Sequence, residues 1–481
     1  MKKLLFLFLI LSFDLCAQGI IVSGPVTVSQ GATYGNSRPR VLLTEGNVPV
    51  AIWGKNGANS AIYASRWNGT SFGLPIQVSP VGMAVRTVSA ERIGAAVYKN
   101  TIYVVFTSLP LEKGKLFLAK STDGGQTFHN AVQIANTGTD IAYFPGVSVD
   151  ETGNPIVYYI RSASDWSNPR HVVLASNDGG SSFENEKNIN SLSPGEACDC
   201  CPATLVAKNN RQVFLFRNND NNLRDIWAAF SEDSGNSFYK ATDVDPTNWV
   251  VPACPTSGPN AIVSGDSIIY AWMSAATGQG RIMLGTVNLN AAGGSAKTLD
   301  PSNDIFTQNQ PAIAGKNDTI ALVWHDNRNG SNDCRISWSS TGATGLFQSS
   351  HELVMGAGSQ QNADISYSDG LFHIIYQDDK TYSIIYLTAN ISRYGSISEE
   401  GTPGFSIYPN PFSHTAQVTI EETNGLPVYF ELFEHSGKKL LSFPVYNSEF
   451  QIPGEGLKPG VYVMEITSQG YSSHKKVIIT H

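Results

Sequence analysis

The chain has 481 residues, 41% of them hydrophobic and 10% aromatic, which is enough for a large core and too long for one ordinary domain. Its formal net charge of −8, with no long basic run, gives nucleic-acid binding little electrostatic support, so no nucleic-acid partner is expected. The 44 glycines and 24 prolines, without long amphipathic patterns, predict an all-β chain rich in turns.

The N-terminus, MKKLLFLFLILSFDLCAQG, has the organisation of a signal peptide. Two lysines precede an apolar run, and small residues near Ala17 provide a cleavage site, so we expect residues 1–17 to be removed. A lipoprotein anchor at Cys16 is disfavoured because bulky Leu15 precedes it. The apolar run is too short to span a bilayer and no longer one follows, so no membrane span is expected. The mature protein should act outside the cytoplasm, where disulfides persist.

Three short segments repeat at a fixed interval: STDGGQTF, SNDGGSSF and SEDSGNSF. They begin at Ser121, Ser176 and Ser231, so both intervals are 55 residues, and a fixed period predicts a repeat architecture. The pattern resembles the Asp-box, or BNR repeat, of sialidase-like propellers. We expect the aspartate to accept backbone N–H groups of its own turn, and the aromatic residue to fill the gap between neighbouring sheets.

Seven segments each show a short strand, a turn and a second apolar strand, followed by a third strand. They lie at 40–53, 92–106, 144–160, 203–216, 260–273, 312–324 and 363–376. A fourth strand follows the first six segments but not the seventh, and GPVTVSQ (24–30) provides the missing one. Because pairing of this segment with the last sheet would remove the open edge, residues 18–395 are predicted to form a closed seven-bladed β-propeller. A six-bladed ring is the alternative.

The composition changes at residues 396–404. The segment GSISEEGTPG, which contains them, is typical of a linker. The motifs YPNPF (408–412), HSGKKL and PGVY (459–462), with KKVII near the end, closely resemble the type IX secretion sorting domain, type A. The resemblance implies that residues 405–481 form a small Ig-like β-sandwich that partners the type IX secretion machinery. It also implies passage through the periplasm to a secreted or cell-surface location.

Five cysteines follow the signal peptide, at positions 198, 200, 201, 254 and 334. All are expected on the channel face: three in the connection into the fourth unit, Cys254 in the connection into the fifth, and Cys334 in a second-to-third-strand loop of the sixth. We expect disulfides among these loops, with Cys254 paired to one of the 198–201 group and one thiol left over. A thiolate site with His325 for a soft metal and redox chemistry are the alternatives. The spacing is not that of a standard zinc motif, so no metal and no cofactor is predicted.

The same face should carry polar and aromatic residues able to bind a sugar or a carboxylate. Sialidase-like proteins use three arginines for a sugar carboxylate, a tyrosine paired with glutamate as nucleophile, and an aspartate as acid–base. The resemblance implies catalytic candidates and substrate-binding candidates in this chain. The catalytic candidates are Asp220, Asp326 and Tyr376; the binding candidates are Arg40, Arg161, Arg217, Arg224, His325, Arg328 and Asp378.

Two departures from the sialidase pattern keep the activity open. The Arg-Ile-Pro signature is missing, with SRPRV only loosely similar, and the arginines do not follow the expected order. We therefore expect an exported, monomeric propeller that binds, and in one version processes, a glycan or glycoconjugate. The alternatives are a glycoside hydrolase of exo-sialidase type or a polysaccharide lyase, and a non-catalytic surface propeller that binds proteins.

Overall fold

The computed structural model describes residues 17–480 except 89, 290–293, 299–304, 348–349, 355, 395–404, 421–427, 435–437, 446 and 469–470. The predicted linker, and the signal peptide up to residue 16, lie outside the described residues. The chain divides into two compact units, residues 21–391 and a second one made of Ser392–His481 with Met1–Ile20, as far as these are described. The predicted domain boundaries at 18–395 and 405–481 stay predictions.

The first unit consists of seven antiparallel sheets among the described residues. Sheet 1 contains β2 (Ser37–Thr44), β3 (Val48–Lys55), β4 (Ala61–Arg66) and β5 (Ile76–Gln77). Sheet 2 contains β6 (Gly94–Tyr98), β7 (Thr101–Thr107), β8 (Leu116–Ser121) and β9 (Val132–Gln133). Sheet 3 contains β10 (Ile141–Val149), β11 (Pro155–Ser162), β12 (Arg170–Ala175) and β13 (Lys187–Asn188).

Sheets 4 to 7 follow the same plan, with one extra short strand in sheet 4. Sheet 4 contains β14 (Glu196–Ala197), β15 (Thr204–Lys208), β16 (Arg211–Asn219), β17 (Ile226–Ser231) and β18 (Lys240–Asp243), and sheet 5 contains β19 (Asn260–Ser264), β20 (Ser267–Ser274), β21 (Arg281–Asn288) and β22 (Gly294–Thr298). Sheet 6 contains β23 (Gln308–Lys316), β24 (Thr319–Asp326), β25 (Asp333–Ser339) and β26 (His351–Val354). Sheet 7 contains β27 (Gln360–Ser368), β28 (Leu371–Asp378), β29 (Ser383–Tyr394) and β1 (Ala17–Gln30).

Helical structure in the described chain is limited to three short 3₁₀ segments, Leu111–Lys113, Ile189–Leu192 and Ala343–Phe347. None of the described helices has the length and apolar character that crossing a membrane requires. Tight hairpins replace helices as connections. Between β27 and β28, for example, the two turn residues Asp369 and Gly370 both have positive φ (45° and 87°), the conformation that a two-residue hairpin turn needs.

The three repeated segments form the turn that their residues predict. The Asp123 carboxylate accepts the backbone N–H groups of Gln126 (2.9 Å) and Thr127 (3.0 Å) and the Thr127 hydroxyl (2.6 Å). In the next repeat, hydrogen bonds from the hydroxyl and backbone N–H of Ser182 lower the pKa of Asp178 to about 2. The aromatic residue of each repeat packs into the core between its own sheet and the preceding one; these residues are Phe128, Phe183 and Phe238.

The seven first strands, β2, β6, β10, β15, β19, β23 and β27, form the inner wall of the ring. Each one contacts the next around the ring, and β27 contacts β2. These contacts close a cycle among the described first strands, while the number of blades stays a prediction. Strand β1 lies beside β29, which confirms that the N-terminal segment completes the last sheet.

The joint between sheets 7 and 1 has an apolar core to which β1 contributes Val28. This side chain packs with Val41 and Trp53 of sheet 1 and with Ile375 and Tyr386 of sheet 7. Because strands from both ends of the chain meet here, burial of apolar surface holds the ring closed at this joint.

Removing the buried methyl groups of β1 should weaken the ring measurably. Val28 is 6% exposed, so Val28→Ala should lower the free energy of unfolding by about 2 kcal/mol, as large-to-small core substitutions do. Val22, on the same strand and 40% exposed, is the matched control, and Val22→Ala should change stability by less than about 0.5 kcal/mol. Urea unfolding measures both, and equal effects would show that β1 does not contribute to this core.

The second unit is a sandwich of two sheets, as predicted. One contains β30 (Phe405–Tyr408), β31 (Thr415–Ile420) and β34 (Glu449–Pro453); the other contains β32 (Val428–Glu434), β33 (Lys439–Val445), β35 (Gly460–Ser468) and β36 (Tyr471–Ile479). Both sheets contribute to one apolar core. The YPNPF motif is tied to β36, because Asn410 accepts the Ile478 N–H (2.8 Å) and donates to the Lys476 carbonyl (2.8 Å).

Candidate functional site

A cavity of about 300 Å³ lies in the central channel of the first unit. Its walls come from all seven first strands and the residues just before them, at 38–42, 91–97, 144–149, 202–206, 258–261, 310–313 and 362–365. A site shared by all blades of a ring is where ligands of such folds bind, because many side chains converge there.

Backbone bulges aim side chains at this cavity. The pairing register between first and second strands shifts in sheets 1, 3, 6 and 7, and the residues at the shifts have positive φ. These residues are Arg38 (48°), Phe144 (51°), Gln310 (55°) and Asn362 (55°). Bulges re-orient side chains in this way next to functional sites. Arg38, Phe144 and Gln310 each directly precede a proline, and this recurring pair is a signal in the sequence that marks three of the four bulges.

Arg38 is the most deeply placed cation of the cavity, with 5% of its surface exposed. Its Nη1 donates to Asn362 Oδ1 and its Nη2 to Gln310 Oε1, both at 2.9 Å, whereas its buried Nε has no hydrogen-bond partner. Burial, followed by the charge of Arg40, lowers the pKa of Arg38 to about 10, so it is still cationic at neutral pH. Neither of its amide partners neutralises that charge.

Two further arginines share a single carboxylate. Arg40 Nε lies 3.0 Å from Asp364 Oδ2, and Arg92 pairs with the other oxygen of Asp364. Arg40 also donates to the backbone carbonyl of Ile93 (2.8 Å), which fixes its orientation. The side chains of Arg40 and Arg92 are 19% and 23% exposed, so both can still be reached from the channel.

Glu91 is the second acid of the cavity and is 4% exposed. It pairs with Arg86. Burial raises the pKa of Glu91 to about 7 in spite of the opposing effect of Arg86. Arg38, Arg40 and Arg92 therefore face two acids in the cavity wall, Asp364 and Glu91, and Glu91 is half protonated near neutral pH. The cavity has a net positive charge.

Of the predicted binding residues, Arg40 lines the cavity and His325 lies directly behind it. The Nδ1 of His325 accepts the backbone N–H of Asn362 at 3.3 Å, and burial lowers the pKa of His325 to about 3, so it is neutral. Asp326 is fully buried and binds Arg328 through two bonds, Nε to Oδ1 (3.0 Å) and Nη2 to Oδ2 (2.8 Å). The predicted roles of this group stay predictions.

Three other predicted arginines hold backbone or blade structure together. Arg217 is fully buried and donates to the carbonyls of Ser257, Arg224 and Met273, which joins sheets 4 and 5. Arg224 donates to the Val251 carbonyl at 3.1 Å. Arg161 lies within hydrogen-bond distance of Asp140 (2.8 Å) and Glu186 (2.5 Å) in sheet 3. None of these three lines the described cavity.

The remaining candidates, Tyr376, Asp378 and Asp220, are also outside the cavity wall. Tyr376 is 4% exposed, and burial raises its pKa. Asp378 accepts the backbone N–H groups of Lys380 and Thr381 in a turn, and Asp220 accepts the side-chain amide of its neighbour Asn221. Their catalytic or binding roles stay predictions. The sequence placed Arg38 at the start of the first inner strand without giving it a role, and Arg92 and Glu91 were missed.

The cysteines confirm the expected cross-link between neighbouring channel loops. Cys200 and Cys254 form a disulfide with their Cα atoms 6.0 Å apart. One position differs from expectation: Cys334 lies in strand β25, fully buried and paired in register with His325, rather than in a loop. Residues 327–332 form the connection between β24 and β25, so Cys334 is the second residue of the strand and its neighbours pair across the sheet.

Removing this disulfide should destabilise the first unit. The double substitution Cys200→Ser with Cys254→Ser releases a loop of 54 residues, and the chain-entropy model gives a loss of about 4 kcal/mol. Thermal unfolding under non-reducing conditions should show the drop. Ala253→Ser, at an exposed neighbouring position, is the control and should leave the melting temperature unchanged. A double variant as stable as the unmodified protein would contradict the cross-link.

Comparison with known families identifies the C-terminal part. Residues 406–480 match the family model of the secretion system C-terminal sorting domain. The chain therefore carries a type IX sorting domain at its C-terminus, which indicates export to a secreted or cell-surface location. No curated protein matches the chain by sequence.

Solved structures resemble the fold at low sequence identity. An ulvan lyase from a family of polysaccharide lyases, bound to -[GlcA(1-4)Rha3S]-, has a TM-score of 0.50 at 10% identity, with 76% of this chain and 96% of that chain covered. A Trypanosoma rangeli sialidase in complex with the inhibitor DANA has a TM-score of 0.45 at 11% identity, covering 95% and 89%. A protein of unknown function from Dyadobacter fermentans has a TM-score of 0.47 at 13% identity, covering 78% and 100%. The predicted fold class, an all-β propeller, is confirmed.

Proposed function

We propose that this exported propeller binds an acidic glycan, with a carboxylate or sulfate group of one sugar unit held in the channel cavity. The observation that carries the proposal is the excess of buried cations: Arg38 is paired only with neutral amides, and Arg40 and Arg92 share Asp364. Guanidinium groups bind planar carboxylates and sulfates through charge-assisted hydrogen bonds, which are stronger in a cavity than in water.

The buried Nε of Arg38 adds support. A buried donor without a partner costs free energy, and a ligand oxygen that accepted from it would recover that cost. The cavity volume of about 300 Å³ is at the lower end for ligand pockets, which favours a single sugar unit over a longer segment. A chain end or a branch of an acidic polysaccharide has this form.

Turnover of the bound glycan is a second candidate function, favoured by Glu91. A carboxyl group with a pKa of about 7, beside cations that bind the substrate, is suited to general acid–base catalysis at neutral pH. Under this version the protein is a glycoside hydrolase or a polysaccharide lyase, and Glu91 rather than Asp220 or Asp326 exchanges the proton. The non-catalytic protein-binding propeller remains the third version, and absence of glycan binding would favour it.

Arg92→Ala should weaken binding of acidic glycans at least tenfold, because it removes a charged hydrogen-bond donor from the cavity. The measurement is calorimetric titration of the mature protein with sialylated, uronic and sulfated oligosaccharides. Neutral oligosaccharides of the same size should bind neither protein.

Arg170→Ala is the matched control for this substitution. Arg170 is 21% exposed and pairs with one carboxylate, that of Asp140, whereas Arg92 is 23% exposed and also pairs with one. Arg170 does not line the cavity, so its removal should leave affinity unchanged. Equal losses from both substitutions, or no binding of any acidic glycan, would contradict the proposed site.

The affinity for a sulfated glycan should rise as the pH falls through about 7. Protonation of Glu91 removes a negative charge from the cavity, whereas the sulfate keeps its charge over this range. Two unit charges about 4 Å apart in a water-like surrounding interact with about 1 kcal/mol, so loss of the Glu91 charge corresponds to roughly fivefold in affinity between pH 8 and pH 6. Titrations at several pH values measure the change.

Glu91→Gln should remove this pH dependence and leave affinity at the low-pH level. A second readout is stability: since folding raises the pKa of Glu91 from 4.5 to about 7, its contribution to the free energy of unfolding is lost as pH rises over that interval. The glutamine variant should lack that loss. If the variant kept the pH dependence of binding, another group would be responsible.

A further inference from the structure

We propose that Cys198 and Cys201 form a second disulfide in the mature protein, next to the bond between Cys200 and Cys254. Their sulfur atoms lie 2.6 Å apart, and both side chains are fully buried. Cys334 would then be the single cysteine of the mature chain without a covalent partner. This proposal does not depend on the proposed glycan function.

The distance between the two sulfurs separates a bond from a contact. Non-bonded heavy atoms rest about 3.5–4.0 Å apart, and the sulfurs of a disulfide lie about 2.05 Å apart. Cys200 Sγ lies 3.8 Å from Cys198 Sγ and 3.9 Å from Cys201 Sγ, as unbonded sulfurs do. The separation between Cys198 and Cys201 is more than an ångström shorter than these two. A pair of thiols at this separation would have to move apart within a packed interior, whereas bond formation needs a smaller shift.

Local backbone structure brings the two residues together. The Cys201 N–H donates to the Cys198 carbonyl at 3.1 Å, which closes a tight turn with Asp199 and Cys200 at its centre. The exposed Asp199 points the turn outward, and Cys200 is directed to the loop of Cys254. The cysteine spacing therefore serves two separate bonds, one within the turn and one to the neighbouring loop.

The surroundings of Cys198 favour formation of the bond. Burial by itself raises the pKa of its thiol, but the hydrogen bond from Cys201 and the charges of Arg217 and Arg224 outweigh burial and lower it. Arg224 Nη1 lies 3.1 Å from Cys198 Sγ. Because the thiolate is the nucleophile in thiol–disulfide exchange and both sulfurs are fully buried in the folded unit, Cys198 attacks before this turn is closed off from the oxidant.

The oxidant is a disulfide-bearing thiol oxidoreductase of the compartment through which the chain is exported. The Cys198 thiolate attacks one sulfur of the disulfide of the oxidoreductase, and the other sulfur of that disulfide leaves as a thiolate. The Cys201 thiolate then attacks Cys198 Sγ in the mixed disulfide and displaces the oxidoreductase. The two cysteines lose two electrons and two protons in total, and the oxidoreductase leaves as the dithiol.

A metal site on the same sulfurs is the competing explanation. Cys198, Cys200 and Cys201 offer three sulfurs within 4.8 Å of one another. However, Cys200 is bonded to Cys254, and only two sulfurs remain. Structural zinc needs four ligands, and the groups of metal-binding type found among the described residues offer no others beside these two.

The second bond would fix part of the cavity wall. Pro202, which follows Cys201, lines the cavity, and its carbonyl packs so closely on Gly258 that a Cβ there would lie 1.7 Å away. A rigid turn at Cys198–Cys201 therefore fixes the position of the first strand of sheet 4 relative to that of sheet 5 at the channel.

The test is a thiol count on the mature protein, which has lost Cys16 and is denatured without reductant. The proposal predicts one free thiol per chain, from Cys334, and five after complete reduction. Three free thiols before reduction, with or without a stoichiometric metal, would overturn it. Peptide mapping after cleavage before aspartates should show three joined peptides, because the peptide that begins at Asp199 contains both Cys200 and Cys201 and is linked to the peptides of Cys254 and Cys198. Fragmentation between Cys200 and Cys201 assigns the two bonds, and a bond between Cys198 and any cysteine other than Cys201 would also overturn the proposal.

Two substitutions make the count specific. Cys201→Ala should raise it from one thiol to two, because Cys198 loses its partner. Cys334→Ala should lower it from one to zero. A count of two in Cys334→Ala would show that Cys198 and Cys201 are both reduced and would overturn the proposal even if Cys201→Ala failed to fold.

Discussion

Closure of the ring by β1 is the constraint on which the rest of the first unit depends. Strand β1 comes from the N-terminus and pairs with β29, and its Val28 packs against side chains of sheets 1 and 7. Without this pairing sheet 7 would have an open edge, and the joint between sheets 7 and 1 would lose the apolar contacts of Val28. The channel and its cavity exist only because the first strands meet in a closed cycle.

Convergence of seven strands on one channel concentrates charge in a small volume. Arg38, Arg40 and Arg92 enter it from sheets 1 and 2, and Asp364 enters from sheet 7. Asp364 also accepts the backbone N–H of Val41 at 3.0 Å, so the same carboxylate holds sheet 7 to sheet 1. The arrangement serves stability and leaves a net positive charge, which is why the cavity is suited to an anionic ligand.

The cross-linked loops act on the opposite side of the ring. The bond between Cys200 and Cys254 joins the connections that lead into sheets 4 and 5, and Arg217 joins the same sheets through three backbone carbonyls. Long loops ordered in advance reduce the conformational entropy lost when a ligand binds. An exported protein can use covalent bonds for this purpose because its compartment is oxidising.

The sequence by itself determined the all-β class, the 55-residue repeat, the role of β1 and the sorting domain, because each depends on local patterns or on the order of strands. It limited the partner of Cys254 to the three cysteines at 198–201, and the structure selected Cys200. It did not determine which arginines face the cavity. Arg217 and Arg161 each lie near the end of an apolar second strand, so the sequence makes both of them candidates. In the structure, however, Arg217 binds backbone carbonyls and Arg161 binds carboxylates within its blade. Only the tertiary structure selected Arg38, Arg92 and Glu91, because their proximity arises from bulges and from ring curvature, which bring residues of distant sequence together.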